Sequence, residues 1–228
     1  MLIHIPKVLN SEQLQHILSG LAHAEAPWVD GRVTAGFQGA AVKQNQQIDE
    51  RSAMAHEFGD LILSALERNP LFISAALPNR VYPPMFNRYG EGMFFGEHVD
   101  GSVRMVPGSG NKLRTDISAT LFLAEPDSYD GGELVVHDNF GTHQVKLAAG
   151  DMVLYPATSR HSVTPITRGT RVASFFWIQS LVREDAQRTL LYEMDTAVQR
   201  LNQSAADPEA LVRLMGTYHN LLRMWTDV

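Results

Sequence analysis

The sequence has no cysteine, which excludes a disulfide framework, thiolate metal ligation and cysteine nucleophilic catalysis. Any metal must be held by nitrogen and oxygen. No apolar run approaches the length needed to span a bilayer, and Met1–Lys7 lacks a basic segment followed by an apolar one. These absences predict a soluble, cytoplasmic protein with no membrane partner. There is also no basic cluster and no acidic run. The 19 Lys and Arg and 25 Asp and Glu are spread along the chain for a formal charge of −6, which argues against nucleic acid as a partner. No fixed-period repeat is present.

What the chain does have is apolar material, 44% of its 228 residues, enough for one main core and a modest appendage. Near the start, Asn10 and Ser11 stand as cap candidates before Leu14, Ile17, Leu18 and Leu21 at helical spacing. A second helix is predicted over 49–68, with Met54, Phe58, Leu61, Ile62 and Ala65 on one stripe and Asn69-Pro70 as its stop. From about 80 to 180 the chain turns to short segments rich in Val, Ile, Thr and aromatics, punctuated by Gly, Pro and Asp. Eight strands are predicted: Val81 to Tyr89, Phe94 to His98, Thr115 to Leu123, Glu133 to His137, His143 to Leu147, Met152 to Tyr155, His161 to Ile166 and Thr170 to Ile178. Eight strands suit a double-sheet jelly roll. Helical periodicity returns from Glu184 to about Leu201, and again after Asp207 as cap and Pro208 at the first helical position. The expected fold is thus mainly β with flanking helices, an α+β class: residues 1–180 hold a jelly-roll domain with N-terminal helices, and 181–228 form a C-terminal helical subdomain. That subdomain either packs on the barrel or offers a Leu- and Met-rich surface for homo-oligomer formation.

Within Gly96-Glu-His98-Val-Asp100-Gly101, His98 and Asp100 are two apart, so an extended backbone points both to one face. His161, 61 residues beyond Asp100, opens another predicted strand of the same β zone. Two imidazoles and one carboxylate on adjoining strands make a facial triad, which leaves three open positions on octahedral iron(II). Arg171 follows ten residues later, in a strand whose alternation sets Arg171, Ala173, Phe175 and Trp177 on one face and Val172, Ser174, Phe176 and Ile178 on the other. Both faces are apolar apart from Arg171 and Ser174. A guanidinium buried there needs a partner, because an unpaired buried charge costs several kcal/mol. That partner is either an internal carboxylate or the distal carboxylate of a dicarboxylic co-substrate gripped by both arms of the guanidinium.

Three connections carry turn chemistry. Gly131-Gly132 reads as a hairpin turn or strand start needing positive φ, and Gly150-Asp151 as a turn in which Asp151 is no ligand. Gly101 to Lys112, with Pro107, three glycines and two serines, is too polar and Gly-rich for a strand. It is either a mobile lid after the His-Val-Asp motif or a solvated connection.

At these residues the sequence resembles the iron(II)- and 2-oxoglutarate-dependent dioxygenases of the prolyl 4-hydroxylase type, and more closely the PKHD-type hydroxylases. The likeness runs through Met1-Leu-Ile-His-Ile5, Asn87-Arg-Tyr-Gly-Glu-Gly-Met-Phe-Phe-Gly-Glu-His-Val-Asp100, Arg114-Thr-Asp-Ile-Ser-Ala-Thr-Leu-Phe-Leu123, Tyr129-Asp-Gly-Gly-Glu-Leu134 and the Arg171 strand. The resemblance implies a double-stranded β-helix core in which His98, Asp100 and His161 bind Fe(2+) and Arg171 pairs with the far carboxylate of 2-oxoglutarate. With O2, the co-substrate would be decarboxylated to succinate as a protein or small-molecule substrate of unidentified structure is hydroxylated. No catalytic residue beyond the metal centre is implied. Asp100 disfavours the related halogenases, which open that position for chloride. Tyr89 is similar in position to a tyrosine that bonds the co-substrate in related hydroxylases; the alternative is a strand-end aromatic bonded to backbone. Ser118 and Thr120 share a face of the next strand and are grouped with it. The wider family also implies L-ascorbate, as reductant for stray iron(III), and an association with iron uptake. Two competing readings stand beside this one: a cupin-like metal protein or iron sensor with no use for Arg171, and an interaction module working through its C-terminal helices.

Overall fold

A computed structural model describes residues 1–138, 141–204 and 207–227, with the backbone only at 37 and 38. The architecture follows from where short β-branched and aromatic segments find partners. Arg171–Ser180 lies at the centre of the larger sheet, antiparallel to Ile117–Phe122 on one edge and to Met85–Tyr89 and Pro78–Val81 on the other. Beyond Ile117–Phe122 come Met152–Pro156 and then Ile3–Ile5; beyond Met85–Tyr89 come Gln46–Ile48 and Trp28–Asp30. The smaller sheet runs Gly141–Val145, Leu134–Asp138, Arg160–Val163, Phe94–His98, Lys43–Gln44, also antiparallel throughout.

One face of the larger sheet is covered by helices. Ser11–Leu21 starts at Asn10, whose side chain and that of Gln13 cap each other's backbone N–H, and it buries Ile17 and Leu21. Ala53–Glu67 is capped by Ser52 and buries Ala55, Phe58, Ile62 and Leu66, spaced three or four apart. These side chains meet Phe86, Ile117, Leu121, Leu154, Phe176 and Ile178 from the sheet in the largest core of the molecule. Each such large side chain contributes roughly 1.5–3 kcal/mol by leaving water. Ser174, polar on this apolar face, satisfies itself by donating to the Met85 carbonyl at 3.0 Å.

Several expected segments are divided in the structure. Val81 to Tyr89 becomes Pro78–Val81 and Met85–Tyr89, because Pro83 and Pro84 have no N–H for a ladder. His161 to Ile166 becomes Arg160–Val163 and Ile166–Arg168, interrupted by Thr164-Pro165. Asn69-Pro70 ends one helix as expected but also begins another, Pro70–Ala76, in which the Asn69 side chain accepts from Phe72 N and Pro70 occupies the first turn. Gly101 to Lys112 is not free of strand: Val103–Met105 pairs with Lys112–Arg114 as a hairpin, its glycines Gly108 and Gly110 taking positive φ at the turn.

The C-terminal helices Asp185–Gln203 and Pro208–Trp225 start at Glu184 and Asp207. Tyr218, Leu221, Leu222 and Trp225 pack on a cluster of Leu77, Val182 and Leu191, while Val212, Met215 and Met224 on the last helix stay exposed.

Gly131 has φ +73°, and a Cβ there would lie 2.0 Å from the Pro165 carbonyl oxygen. Gly92, with φ +78°, has open space around it. Gly131→Ala should therefore lower urea stability by about 3 kcal/mol and Gly92→Ala by only about 1 kcal/mol. Equal losses at the two positions would remove close backbone approach as the reason for glycine at 131.

Candidate active site

The smaller sheet brings the histidines together. His98 ends Phe94–His98, and its register partner across the ladder is His161, with ring centroids 4.2 Å apart. Asp100 lies just beyond the strand end, yet it still turns to the same spot. One ligand atom from each of His98, Asp100 and His161 lies within 4.8 Å of the other two, and His161 Nε2 is 3.6 Å from Asp100 Oδ2.

The ring orientations suit metal binding. A carbonyl can only accept, so His98 Nδ1 donates to Gly96 O at 2.8 Å and His161 Nδ1 donates to Ser159 O at 3.0 Å. Each Nε2 then carries its lone pair toward the cluster. Burial, reinforced by the neighbouring His161, lowers His98 to about 4 and keeps it neutral at ordinary pH. Phe95 stacks on His98 at 3.5 Å and Tyr155 meets His161 edge-on at 5.1 Å, fixing both rings. Ser118 donates to Asp100 Oδ2 at 2.6 Å, which orients the carboxylate. Two imidazoles and an oriented carboxylate, with no sulfur, fit iron(II) as a facial set.

Between the sheets lies a cavity of about 680 Å³ lined by all three of these residues and by Tyr89, Ser118, Thr120 and Arg171. Arg171 is 1% exposed. Its Nη1 reaches Asn87 Oδ1 at 3.4 Å, its Nε has no hydrogen-bond partner, and no carboxylate pairs with it among the described residues. Tyr89 and Phe122 present their rings to its guanidinium at 5.4 and 5.3 Å. The internal-carboxylate reading of Arg171 therefore finds no support. Tyr89 is opposite Arg171 in register, and burial pushes its hydroxyl up to about 12, so it remains a neutral donor. No bond from that hydroxyl to backbone is present among the described residues. Asp151 takes His4 Nε2 at 2.7 Å and the Lys7 N–H at 2.8 Å, away from the cluster.

Sequence reasoning missed several lining residues. Asn87 is two before Tyr89, so strand alternation alone places it on the same face. Gly132, read only as turn chemistry, is also the floor under Arg171: a Cβ there would lie 3.1 Å from Arg171 Cδ. Lys43 and Arg104 enter the cavity from segments with no strand signal of their own.

Comparison with known proteins agrees with this geometry. Residues 84–179 match the 2OG-Fe(II) oxygenase superfamily, and 185–227 match the PKHD-type hydroxylase C-terminal domain. PKHD-type hydroxylases of Cupriavidus pinatubonensis and Burkholderia ambifaria are 70% and 66% identical over 227 residues, covering all of this chain and of theirs. One of Bordetella pertussis is 58% identical over 228 residues, again at full coverage of both. Among solved structures, a Pseudomonas putida prolyl-4-hydroxylase superimposes with TM-score 0.53 at 20% identity, over 78% of this chain and 92% of that one. A Trichoplax adhaerens prolyl hydroxylase gives 0.55 at 14% identity, over 83% and 86%. These structures share the double-stranded β-helix fold. With identity of this order over the whole length, and the oxygenase match lying on the strands that carry the His-Asp-His cluster, the chain belongs to the PKHD-type hydroxylase family of iron(II)- and 2-oxoglutarate-dependent dioxygenases.

Proposed function

We propose that His98, Asp100 and His161 hold iron(II), that Arg171 receives the distal carboxylate of 2-oxoglutarate, and that the enzyme hydroxylates a substrate entering from the Trp177 side of the cavity. The observation that carries this reading is the fully buried Arg171 without a carboxylate partner, facing the same cavity as the His-Asp-His cluster. A dicarboxylic acid bound there supplies the missing counter-charge and can reach toward the cluster with its other end.

Iron(II) and 2-oxoglutarate together supply the oxidative chemistry, in which O2 is consumed, the keto acid leaves as succinate and carbon dioxide, and a substrate C–H becomes C–OH. The protein's part is placement. Gly96 and Ser159 carbonyls hold the imidazole tautomers, Ser118 holds the carboxylate, and Asn87 steadies the guanidinium. Tyr89 and Thr120 wall the co-substrate, and Phe95 beside His98 and Phe122 beside Arg171 keep water from its flanks. Ascorbate, as reductant for enzyme left as iron(III), and a link to iron uptake are expected on the strength of the family resemblance, and a cytoplasmic location is proposed beside them. Residues 1–180 would then form the catalytic unit and 181–228 a helical subdomain supporting it.

Adding iron(II) and then 2-oxoglutarate without oxygen should produce the weak visible charge-transfer band of a chelated keto acid. His161→Ala should abolish the band, and Arg171→Ala should require about 100-fold more 2-oxoglutarate to reach it. No band despite tight iron binding would sink the 2-oxoglutarate site. Iron(II) at 1,000 times its dissociation constant should stabilise the wild type by about 4 kcal/mol in thermal unfolding, an effect reversed by chelation and missing in His98→Ala. Equal metal responses in the two proteins would move the metal elsewhere. Ser118→Ala should weaken iron(II) affinity roughly 10- to 100-fold by freeing the Asp100 carboxylate, and unchanged affinity would assign Ser118 to the co-substrate instead.

A further inference from the structure

Besides Arg171, the cavity is lined by a pair of cations to which the proposed reaction gives no role. Lys43, on the edge strand of the smaller sheet, is 4% exposed, and Arg104 comes from the Val103–Met105 arm of the hairpin. Both converge on Thr34: Lys43 Nζ donates to its hydroxyl at 3.2 Å, and Arg104 Nη2 donates to its carbonyl at 3.4 Å. Their other neighbours are rings. Lys43 Nζ lies 5.0 and 5.9 Å from the centres of Phe95 and Phe175, and the Arg104 guanidinium lies 4.0 and 5.3 Å from those of Trp177 and Tyr82.

Neither cation has a salt-bridge partner among the described residues, and Arg104 Nε is buried without any hydrogen bond. The acids in the neighbourhood are engaged elsewhere. Asp30 pairs with Arg32, Asp100 takes the Ser118 hydroxyl within the His-Asp-His cluster, and Glu50 accepts from Tyr82 at 3.3 Å. Burial, with Arg104 adding repulsion, lowers Lys43 to about 8, so near neutral pH it is still mainly an ammonium. Asp100 and Asp30 offset the repulsion on Lys43 only in part, and an anion between two like charges in a half-enclosed cavity would relieve it further.

This pair is not a second grip on 2-oxoglutarate. Phe175 and Trp177, the rings beside Lys43 and Arg104, stand four and six residues along the strand from Arg171, roughly 13–20 Å at the strand rise. Phe95 links the pair to the metal cluster instead, since its ring stacks on His98 at 3.5 Å and also borders Lys43.

We infer that Lys43 and Arg104 form an anion subsite that receives a carboxylate of the hydroxylated substrate, with Tyr82, Phe175 and Trp177 as the wall for its apolar part. The inference rests on the proposed function, because it assigns the substrate class for that same cavity. Glu50, also lining the cavity, favours a singly charged carboxylate over a doubly charged phosphate.

The test uses whole protein loaded with iron(II) and saturating 2-oxoglutarate without oxygen, so that Arg171 is occupied. Benzoate, its neutral analogue benzamide and phenylphosphonate are titrated by calorimetry. Benzoate should bind at least about 10-fold tighter than benzamide, and Lys43→Met and Arg104→Gln should each bring benzoate down to the benzamide level. Lys43→Met removes a buried charge, so its melting temperature should match or exceed the wild type's, which separates lost binding from lost folding. Equal binding of benzoate and benzamide by the wild type, or undiminished benzoate binding by both variants, would overturn the subsite. Phenylphosphonate binding tighter than benzoate would overturn the carboxylate assignment. Failure of the charge-transfer band would count against the 2-oxoglutarate site alone, because the benzoate preference and its dependence on Lys43 and Arg104 are read without the band.

Discussion

Because Arg171–Ser180 is hydrogen-bonded along both edges, its side chains are dealt alternately to two faces that cannot be exchanged without moving every neighbour. Phe176 and Ile178 go to the helix-backed core, and Arg171, Phe175 and Trp177 go to the cavity. A slip of one residue would turn the guanidinium to the helix-covered face and its apolar core. The same ladder that stabilises the fold therefore sets the depth of Arg171 and the place of the aromatic wall.

The smaller sheet obeys the same logic with less support. Its ladder sets His161 against His98, and a register shift between His161 and Val163 marks where the regular pairing gives way. The two imidazoles are oriented by carbonyls only two residues from each ring, Gly96 and Ser159. Local backbone, and not distant packing, fixes which nitrogen faces the cluster. The longer-range step is Ser118, which reaches from the larger sheet to Asp100 and ties the carboxylate to the opposite wall.

What was legible in the sequence tracks how local its cause is. Capping at Asn10 and Asp207, the alternation of the Arg171 strand and the i, i+2 spacing of His98 and Asp100 are short-range patterns, and the structure brings these side chains where the patterns point. The breaks at Pro83-Pro84 and Thr164-Pro165 were also short-range and could have been read from the missing N–H groups. Lys43–Gln44 and Gln46–Ile48 are another matter. Strands of two and three residues carry no periodicity, and they exist because Phe94–His98 and Met85–Tyr89 offer open edges forty to fifty-two residues away. The hairpin after Asp100 was hidden similarly, since its glycines belong to the turn and its three-residue arms are mostly polar or exposed. Residues delivered by such elements, Lys43 and Arg104 among them, owe their place in the cavity to the topology and not to any local pattern.

Charge placement in the cavity makes sense only against the apolar core on the other side of the sheet. Arg171, Lys43 and Arg104 lie in or beside low-dielectric surroundings without a carboxylate in salt-bridge contact among the described residues, and each lowers the stability of the ligand-free protein. The helix-backed core, with its closely packed Phe, Ile and Leu side chains, offsets that cost. The two cationic ends differ in enclosure. Arg171 is boxed in by Tyr89, Phe122 and the bare floor of Gly132, whereas Arg104 rides on a hairpin whose Val103 and Met105 are exposed. On the proposed reading, a slender acid takes the enclosed end at Arg171 and the substrate's carboxylate takes the end beside Tyr82 and Trp177. The two acids would then be sorted by enclosure within one cavity, which the His-Asp-His cluster also lines.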